Sequence, residues 1–436
     1  MRTTKKEPKT YSTETELIYG KTVSKKWDFN HHVVPPISSS STFRLDSAKR
    51  GAQGFAEFAH HAEGVTIESC APIYVYDRLG EPNKEMLEEN LATAERGEMA
   101  VTFSTGMAAV SAALGSLTGM GDEIIAHNII YGCTYSLLTN WYPRYKITTQ
   151  FVDMKELSSV KKAITPRTRV IYFESPVNPT LELIDISAIS EIVKEINKQR
   201  TPERKIYVVI DNTFASPYCQ RPLELGADFV LASLTKGICG FGTDMGGVVV
   251  GPRWSYDIIM LYRKDFGGAL AAKSAWPILV YGLPSLPTRM RQQMSTAMEV
   301  ATFLENDSRI SYVSYPGLKS FPQYELAQKQ MRDYDGNFAP GSILFFSLKG
   351  KTPKIRRDRG EKVINSLAKK AYTITLAVSL GHIRTLVEHP SSMTHSAIPL
   401  AEQIKKGIDP GGIRLSIGLE KPRDIIRDLS EALKIL

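Results

Sequence analysis

The sequence predicts an α/β fold: a mostly parallel, doubly wound sheet followed by a smaller C-terminal α/β domain. Three observations carry that prediction. Short, fully apolar, β-branched runs such as Val208-Val209-Ile210 recur, and strands buried on both faces of a parallel sheet read in this way. Stretches of helical period, such as residues 185–199, separate them and are long enough to cross back over the sheet. The runs also stop abruptly in polar residues, one at Asp211 and another, Asp228-Phe-Val-Leu-Ala, at Ser233-Leu-Thr235-Lys236. Ligands of open α/β sheets collect at that edge.

Composition narrows the class. The chain has 436 residues, 42% hydrophobic and 23% charged, enough for a sizeable core in about two domains. Its net charge of +8 comes from 54 Lys and Arg against 46 Asp and Glu, partly from Lys5, Lys6, Lys9, Lys21, Lys25 and Lys26 and from residues 351–359. No nucleic-acid module accompanies that excess, so a basic cleft for an anionic substrate and a phosphorylated cofactor is the expectation. The four cysteines, Cys70, Cys133, Cys219 and Cys239, show neither a C-x-x-C pair nor metal-ligand spacing, so neither a disulfide framework nor a metal is expected. The basic first residues lead into no apolar run and no stretch approaches 18 apolar residues, which predicts a cytoplasmic protein without a membrane partner.

In chain order, residues 1–72 read as an N-terminal arm, an extended lead-in followed by a short helix or loop. His31 and His32, like His60 and His61, are adjacent pairs; neighbours on a helix or strand cannot both face one metal, so surface or interface positions are expected. A large domain then spans 73–290. Tyr76 and Arg78 sit two apart on a segment read as extended, which would point a hydroxyl and a guanidinium at one phosphate. After a helix from about 84 to 95, Val101-Thr-Phe-Ser104-Thr105-Gly106-Met107 runs from strand through small polar residues into a small-residue helix. That order leaves free backbone N–H groups for an anion. Tyr131-Gly-Cys133 follows the strand 123–126, and Ser175-Pro-Val-Asn178-Pro follows the strand 170–174. An Asn-Pro pair marks a turn, and an aromatic after a strand fits a core residue or a platform for a flat ring.

Lys236 is open to three readings: a surface charge, a phosphate clamp or an amine nucleophile. Asp211 on the neighbouring strand favours the last, because pyridoxal phosphate chemistry needs a carboxylate to keep the pyridine nitrogen protonated and a lysine to carry the aldehyde. The C-terminal domain, 291–436, is read with a helix starting at 295–305, strands at 342–348 and 415–417, and a closing helix at 422–435. Arg414 presents a planar fork from a strand, suited to a carboxylate or a structural ion pair.

Asp211-Asn-Thr-Phe-Ala-Ser-Pro, Arg221 to Asp228, Ser233-Leu-Thr-Lys236 and Tyr76-Asp-Arg78 resemble the cofactor-binding signature of the Cys/Met-metabolism, or trans-sulfuration, class of fold-type I pyridoxal phosphate enzymes. The resemblance runs from about Tyr74 to the C-terminus; Cys133 and residues 315–327 bring it nearest to the methionine γ-lyases of that class. It implies a seven-stranded sheet and pyridoxal 5'-phosphate as cofactor. Lys236 would hold the aldehyde and move the protons, Asp211 would face the pyridine nitrogen, and Tyr131 would stack on the ring and protonate the departing sulfur. Gly106, Met107, Ser233 and Thr235 would bind the phosphate, Asn178 would lie near the ring hydroxyl, and Ser379, Arg414 and Cys133 would meet the substrate. Tyr76 and Arg78 would reach the cofactor of an adjacent subunit, in dimers that share active sites and pair into a homotetramer. Two departures stand out: Glu81-Pro82-Asn83 replaces an Asn-Pro-Thr-like turn, and Gly237 replaces an aromatic after the lysine.

The reaction so implied is carbon–sulfur cleavage of a sulfur amino acid, L-methionine giving methanethiol, 2-oxobutanoate and ammonia. Val378, apolar where cystathionine-handling relatives tend to carry glutamate, suits an uncharged thioether. The nearest alternatives are γ-replacement, as in O-acetylhomoserine sulfhydrylase or cystathionine γ-synthase, and cystathionine cleavage. Ser233-Leu-Thr-Lys236 also fits the S-x-x-K of serine acyl-hydrolases, but their S-D-N and K-T-G partners are missing. A cofactor fold kept only for binding is disfavoured by the presence of lysine, aspartate and arginine together.

Overall fold

Strands that are mostly buried along their length pair with one another to form two sheets in the computed structural model, which describes residues 11–20, 33–57, 73–393, 399–405 and 407–436. The first sheet holds β1 (Met99–Phe103), β2 (Glu123–His127), β3 (Thr148–Val152), β4 (Thr168–Glu174), β5 (Tyr207–Asp211), β6 (Phe229–Ser233) and β7 (Gly247–Gly251), in the order β1-β7-β6-β5-β4-β2-β3. From β6 to β3 every pairing is parallel, and only β7 runs antiparallel to its neighbours. Alternate residues enter different cores. Tyr172, Val209, Phe229 and Leu231 join the helix Gly106–Leu117 on one face, while Ile171, Phe173, Val208 and Ile210 meet the helix Ile186–Asn197 on the other. That two-sided burial is the doubly wound arrangement.

The second sheet holds β8 (Ile310–Ser314), β9 (Ile343–Leu348), β10 (Ile374–Leu376), β11 (Thr385–Glu388) and β12 (Gly412–Ser416), in the order β10-β11-β12-β9-β8. It is antiparallel except between β10 and β11, and it buries one face against the helices Pro353–Lys370 and Pro422–Leu433.

The helix expected to start at 295–305 instead begins at Leu283 and runs to Glu305. Pro284 and Pro287 read as breakers, but the π-helical turn Ile278–Gly282 runs directly into Leu283, and such a turn is where a helix accommodates the hydrogen bonds that prolines remove. Leu283, Leu286 and Met290 pack into the core beneath the first sheet, whereas Ala297, Val300 and Leu304 pack into that of the second. The boundary expected at 290 therefore falls inside one helix. Phe321, Ala327 and Met331 also return to the first core.

In the arm, the short helix Thr13–Tyr19 is capped by the Ser12 hydroxyl and anchored by the fully buried Leu17 among Leu87 and Leu91. A second helix spans Ala48–Glu57. The remainder of the segment 48–71, both histidine pairs and Cys70 lie outside the described residues. Among the described residues, no helix is long and apolar enough to cross a membrane, and no three His, Cys, Asp or Glu side chains gather as metal ligands.

Candidate active site

Parallel pairing puts the carboxyl ends of β2, β4, β5 and β6 on one edge. The registers Ser233 to Gly247 and Gly247 to Phe103 bring the end of β1 to the same edge. The chain then turns through Ser104 into the helix Gly106–Leu117, whose N-cap Thr105 accepts a hydrogen bond from Ala108 N at 3.1 Å. The first-turn N–H groups of Gly106 and Met107 face outward from that end. Gly106 is required here: a Cβ on it would lie 2.9 Å from Ser233 Cβ. A helix N-terminus is thereby seated on the tip of β6, a cradle with the dipole and donors for a phosphate.

Asp211 closes β5. Its Oδ1 accepts Thr213 N at 3.0 Å, and Thr213 Oγ1 accepts Ser233 N at 2.9 Å, so Thr213 ties the two strand tips together. Nothing in the sequence marks Thr213 out from its neighbours, because its partner on β6 lies 20 residues away. Burial raises the Asp211 carboxyl above the ordinary range. Thr235, expected at the phosphate, exchanges hydrogen bonds with Gly246 N and O at 3.1 and 3.3 Å and so clamps the loop beyond β6.

Lys236 projects from this loop and its Nζ donates to Ser379 Oγ at 2.9 Å. Burial, and then the nearby Arg414 cation, lower its pKa and favour the neutral, nucleophilic amine. The loop is held from two sides. Buried Arg289, which no sequence motif singles out, donates to Gly237 O at 2.8 Å and Ile238 O at 3.0 Å, while Ile383 N donates to Gly240 O at 2.8 Å. Gly381, at φ +75°, closes on the lysine itself: a Cβ there would lie 2.3 Å from Gly237 N. Gly381→Ala is expected to destabilise the protein by about 1–3 kcal/mol. Gly237→Ala, with nothing within 4 Å of the added carbon, should stay within about 0.5 kcal/mol of the parent in denaturant unfolding.

Ser379 adopts φ +106°, and its carbonyl accepts Arg414 Nη2 at 2.8 Å; Arg414 Nη1 donates to Asn178 Oδ1 at 3.0 Å. Arg414 also pairs with Glu388 at 3.0 Å, each only 5% exposed, and its guanidinium lies over the Phe214 ring. Glu388 is not evident from sequence, since a glutamate ending an apolar strand looks like an exit to solvent. Burial raises its carboxyl while Arg414 and Lys236 pull the other way.

Tyr131, half-exposed, leads into the short helix Gly132–Ser136, and its backbone N–H donates to Glu174 at the tip of β4. The exposed Cys133 thiol beside it, then burial, push its phenol up to about 12, which makes it a proton donor at neutral pH.

Tyr76 and Arg78 are exposed and, among the described residues, no hydrogen bond or ring contact joins them to Lys236. The segment is not extended as expected. Leu79 N and Gly80 N both donate to Tyr76 O, so a turn folds the Arg78 guanidinium back over the Tyr76 ring, 5.5 Å from its centre. Buried charges hold this turn: Lys84 Nζ pairs with Asp77 Oδ1 at 2.8 Å, and Arg263 Nη2 donates to Leu79 O at 3.0 Å. Glu81, one of the two departures from the family pattern, is the N-cap of the helix Pro82–Glu95, accepting Asn83 N and Lys84 N.

A family model described as Cys/Met metabolism PLP-dependent enzyme matches residues 14–434. An L-methionine gamma-lyase of Treponema denticola is 40% identical over 399 residues, covering 91% of both chains, and one of Pseudomonas deceptionensis is 38% identical over 410 residues, covering 93% of this chain and 94% of the relative. The crystal structure of a cystathionine gamma-lyase from Lactobacillus plantarum, complexed with L-serine, superposes with a TM-score of 0.80 at 31% identity, covering 97% of this chain and 99% of the other.

Proposed function

The chain belongs to the Cys/Met metabolism PLP-dependent enzymes, and from that membership we propose that it is a carbon–sulfur lyase cleaving L-methionine to methanethiol, 2-oxobutanoate and ammonia. One observation carries the site assignment: a partly desolvated lysine amine, a half-buried aspartate and a helix N-terminus seated on a strand tip converge on one sheet edge. Those three features fit pyridoxal 5'-phosphate at its aldehyde, its ring nitrogen and its phosphate.

When bound, the cofactor supplies an electron sink that makes protons on the substrate's Cα and Cβ removable. Lys236 Nζ would take the Cα proton, its pKa lowered by burial and by Arg414, and the Ser379 hydroxyl would orient that amine. Asp211 would hold the proton on the pyridine nitrogen. Gly106, Met107 and Ser233 would secure the phosphate, as would Thr235 on turning its hydroxyl from Gly246 O, and Asn178 would lie near the ring hydroxyl. Arg414 would receive the substrate carboxylate: Nη1 serves Asn178 and Nη2 serves Ser379 and Glu388, so a bidentate grip would take the Nη2 hydrogen now directed at Glu388. Tyr131, protonated at neutral pH, delivers its phenolic proton to the sulfur as the Cγ–S bond breaks. Cys133 and the 61%-exposed Val378 present an uncharged surface to the thioether.

Tyr76 and Arg78, exposed and, among the described residues, without a hydrogen bond to their own chain's lysine, would serve the phosphate of a neighbouring copy, so the working unit is a dimer, with dimers paired into a homotetramer. The cytoplasm, where the exposed Cys133 thiol stays reduced, is the compartment we assign. A γ-replacement enzyme would use the same residues. Methionine alone should yield keto acid and thiol at a higher rate than O-acetylhomoserine plus sulfide yields homocysteine; the reverse ranking would reassign the reaction.

A further inference from the structure

Glu174 ends β4 directly beside Asp211 at the end of β5. The two are Cα partners in a parallel register, so both carboxyls leave the same face of the sheet from strands about 4.8 Å apart. Glu174 is 5% exposed, and its Oε1 accepts the backbone N–H of Tyr131. The Asn178 backbone N–H lies near the same carboxyl and, like that of Tyr131, favours its charged form. One side chain therefore holds the residue that would stack on the cofactor and the residue that would flank its ring hydroxyl, and it stands next to the residue that would face its nitrogen.

Two carboxylates on adjacent strand tips, Glu174 buried and Asp211 half-buried, repel one another strongly unless a cation lies between them. Among the described residues, the other ionisable groups that interact with Glu174 are Tyr172 on its own strand and Tyr131 ahead of the helix Gly132–Ser136; a phenol supplies no positive charge. Arg414 is reached only through Asn178. The one cation expected at this spot is the protonated pyridine nitrogen, and it can neutralise one carboxylate.

We propose that Glu174 is a positioning residue held as a neutral carboxylic acid, whose carbonyl oxygen anchors the Tyr131 and Asn178 backbones and whose retained proton leaves Asp211 as the single negative charge against the cofactor ring. The assignment of the proton to Glu174 rather than Asp211 rests on their partners. Both carboxyls accept backbone N–H groups, so those do not decide between them; only Asp211 gains the pyridinium as counter-ion, which favours its charged form. Burial and the Asp211 charge push the Glu174 carboxyl up to about 8. The inference rests on the cofactor assignment above.

Infrared difference spectroscopy of the holoenzyme reads that proton directly. At neutral pH a protonated carboxylic acid band is expected, fading as the pH passes about 8 and missing in Glu174→Gln. Titration with pyridoxal 5'-phosphate should give Glu174→Gln, neutral and of the same shape, an affinity within about threefold of the parent, and Glu174→Ala, which frees both backbones, one at least about tenfold weaker. Absence of the band from the wild-type holoenzyme overturns the inference whether or not any variant folds. So does a tenfold or greater loss of affinity in Glu174→Gln, which would show that the charge is needed. A wild-type protein that takes up no cofactor at all overturns both this inference and the site assignment.

Discussion

Replacing Lys236 with alanine is expected to abolish the visible absorbance of bound pyridoxal 5'-phosphate and to cut turnover at least about 10⁴-fold, since one amine acts both as attachment point and as proton carrier. The size of the effect comes from its surroundings. Among the described residues, Ser379 Oγ is the hydrogen-bond partner of Nζ and Arg414 and Glu388 are the charges that act on it, so no second amine there stands ready to replace it. Far-UV circular dichroism should be unchanged, because the loop is carried by Arg289, Ile383 and Gly381 through backbone contacts that do not involve the lysine side chain. Visible absorbance and turnover that survive in Lys236→Ala would refute the site.

Arg414 gives the second large effect, and it divides into two measurable parts. Arg414→Met leaves Glu388 buried without its partner, and breaking such a pair costs about 3–5 kcal/mol, read in denaturant unfolding. Combining it with Glu388→Met should recover most of that stability, because two apolar side chains of similar volume replace the ion pair. The double variant should still show KM for methionine raised about 10²-fold, since nothing remains to grip the carboxylate. Stability and KM recovering together would mean that the arginine is structural. The sign of the pH dependence is set by Glu388. Burial raises its carboxyl despite Arg414, so charging it is the unfavourable step: its contribution to stability is largest below the unfolded pKa of about 4.3 and declines as pH rises through the higher folded value.

Much of the fold and site is legible in the chain because the first sheet is built from runs that admit one interpretation. Val208-Val209-Ile210 and Phe229-Val-Leu-Ala are too apolar for any surface, and the polar residues that end each run must sit at a strand tip, which locates Asp211 and Lys236. The site's supporting carboxyls are hidden for a matching reason. Glu174 and Glu388 each end a strand, and only the partner strands, about 35 and 25 residues away in sequence, show that these ends are buried. The turn at Tyr76 to Gly80 is invisible to local pattern because it is imposed by Lys84 and Arg263, a buried lysine and arginine that such pattern assigns to solvent. The start of the long helix is masked by its two prolines, whose breaker signal outweighs that of the apolar residues around them.

That helix has a consequence for how the polypeptide can be divided. A cut near residue 290 would strip the cover from Leu283, Leu286 and Met290 in one fragment and from Ala297, Val300 and Leu304 in the other. Neither fragment would keep a sealed interior, so lysine and carboxylate grip, though they hang from separate sheets, are inherited and lost as a single cooperative body.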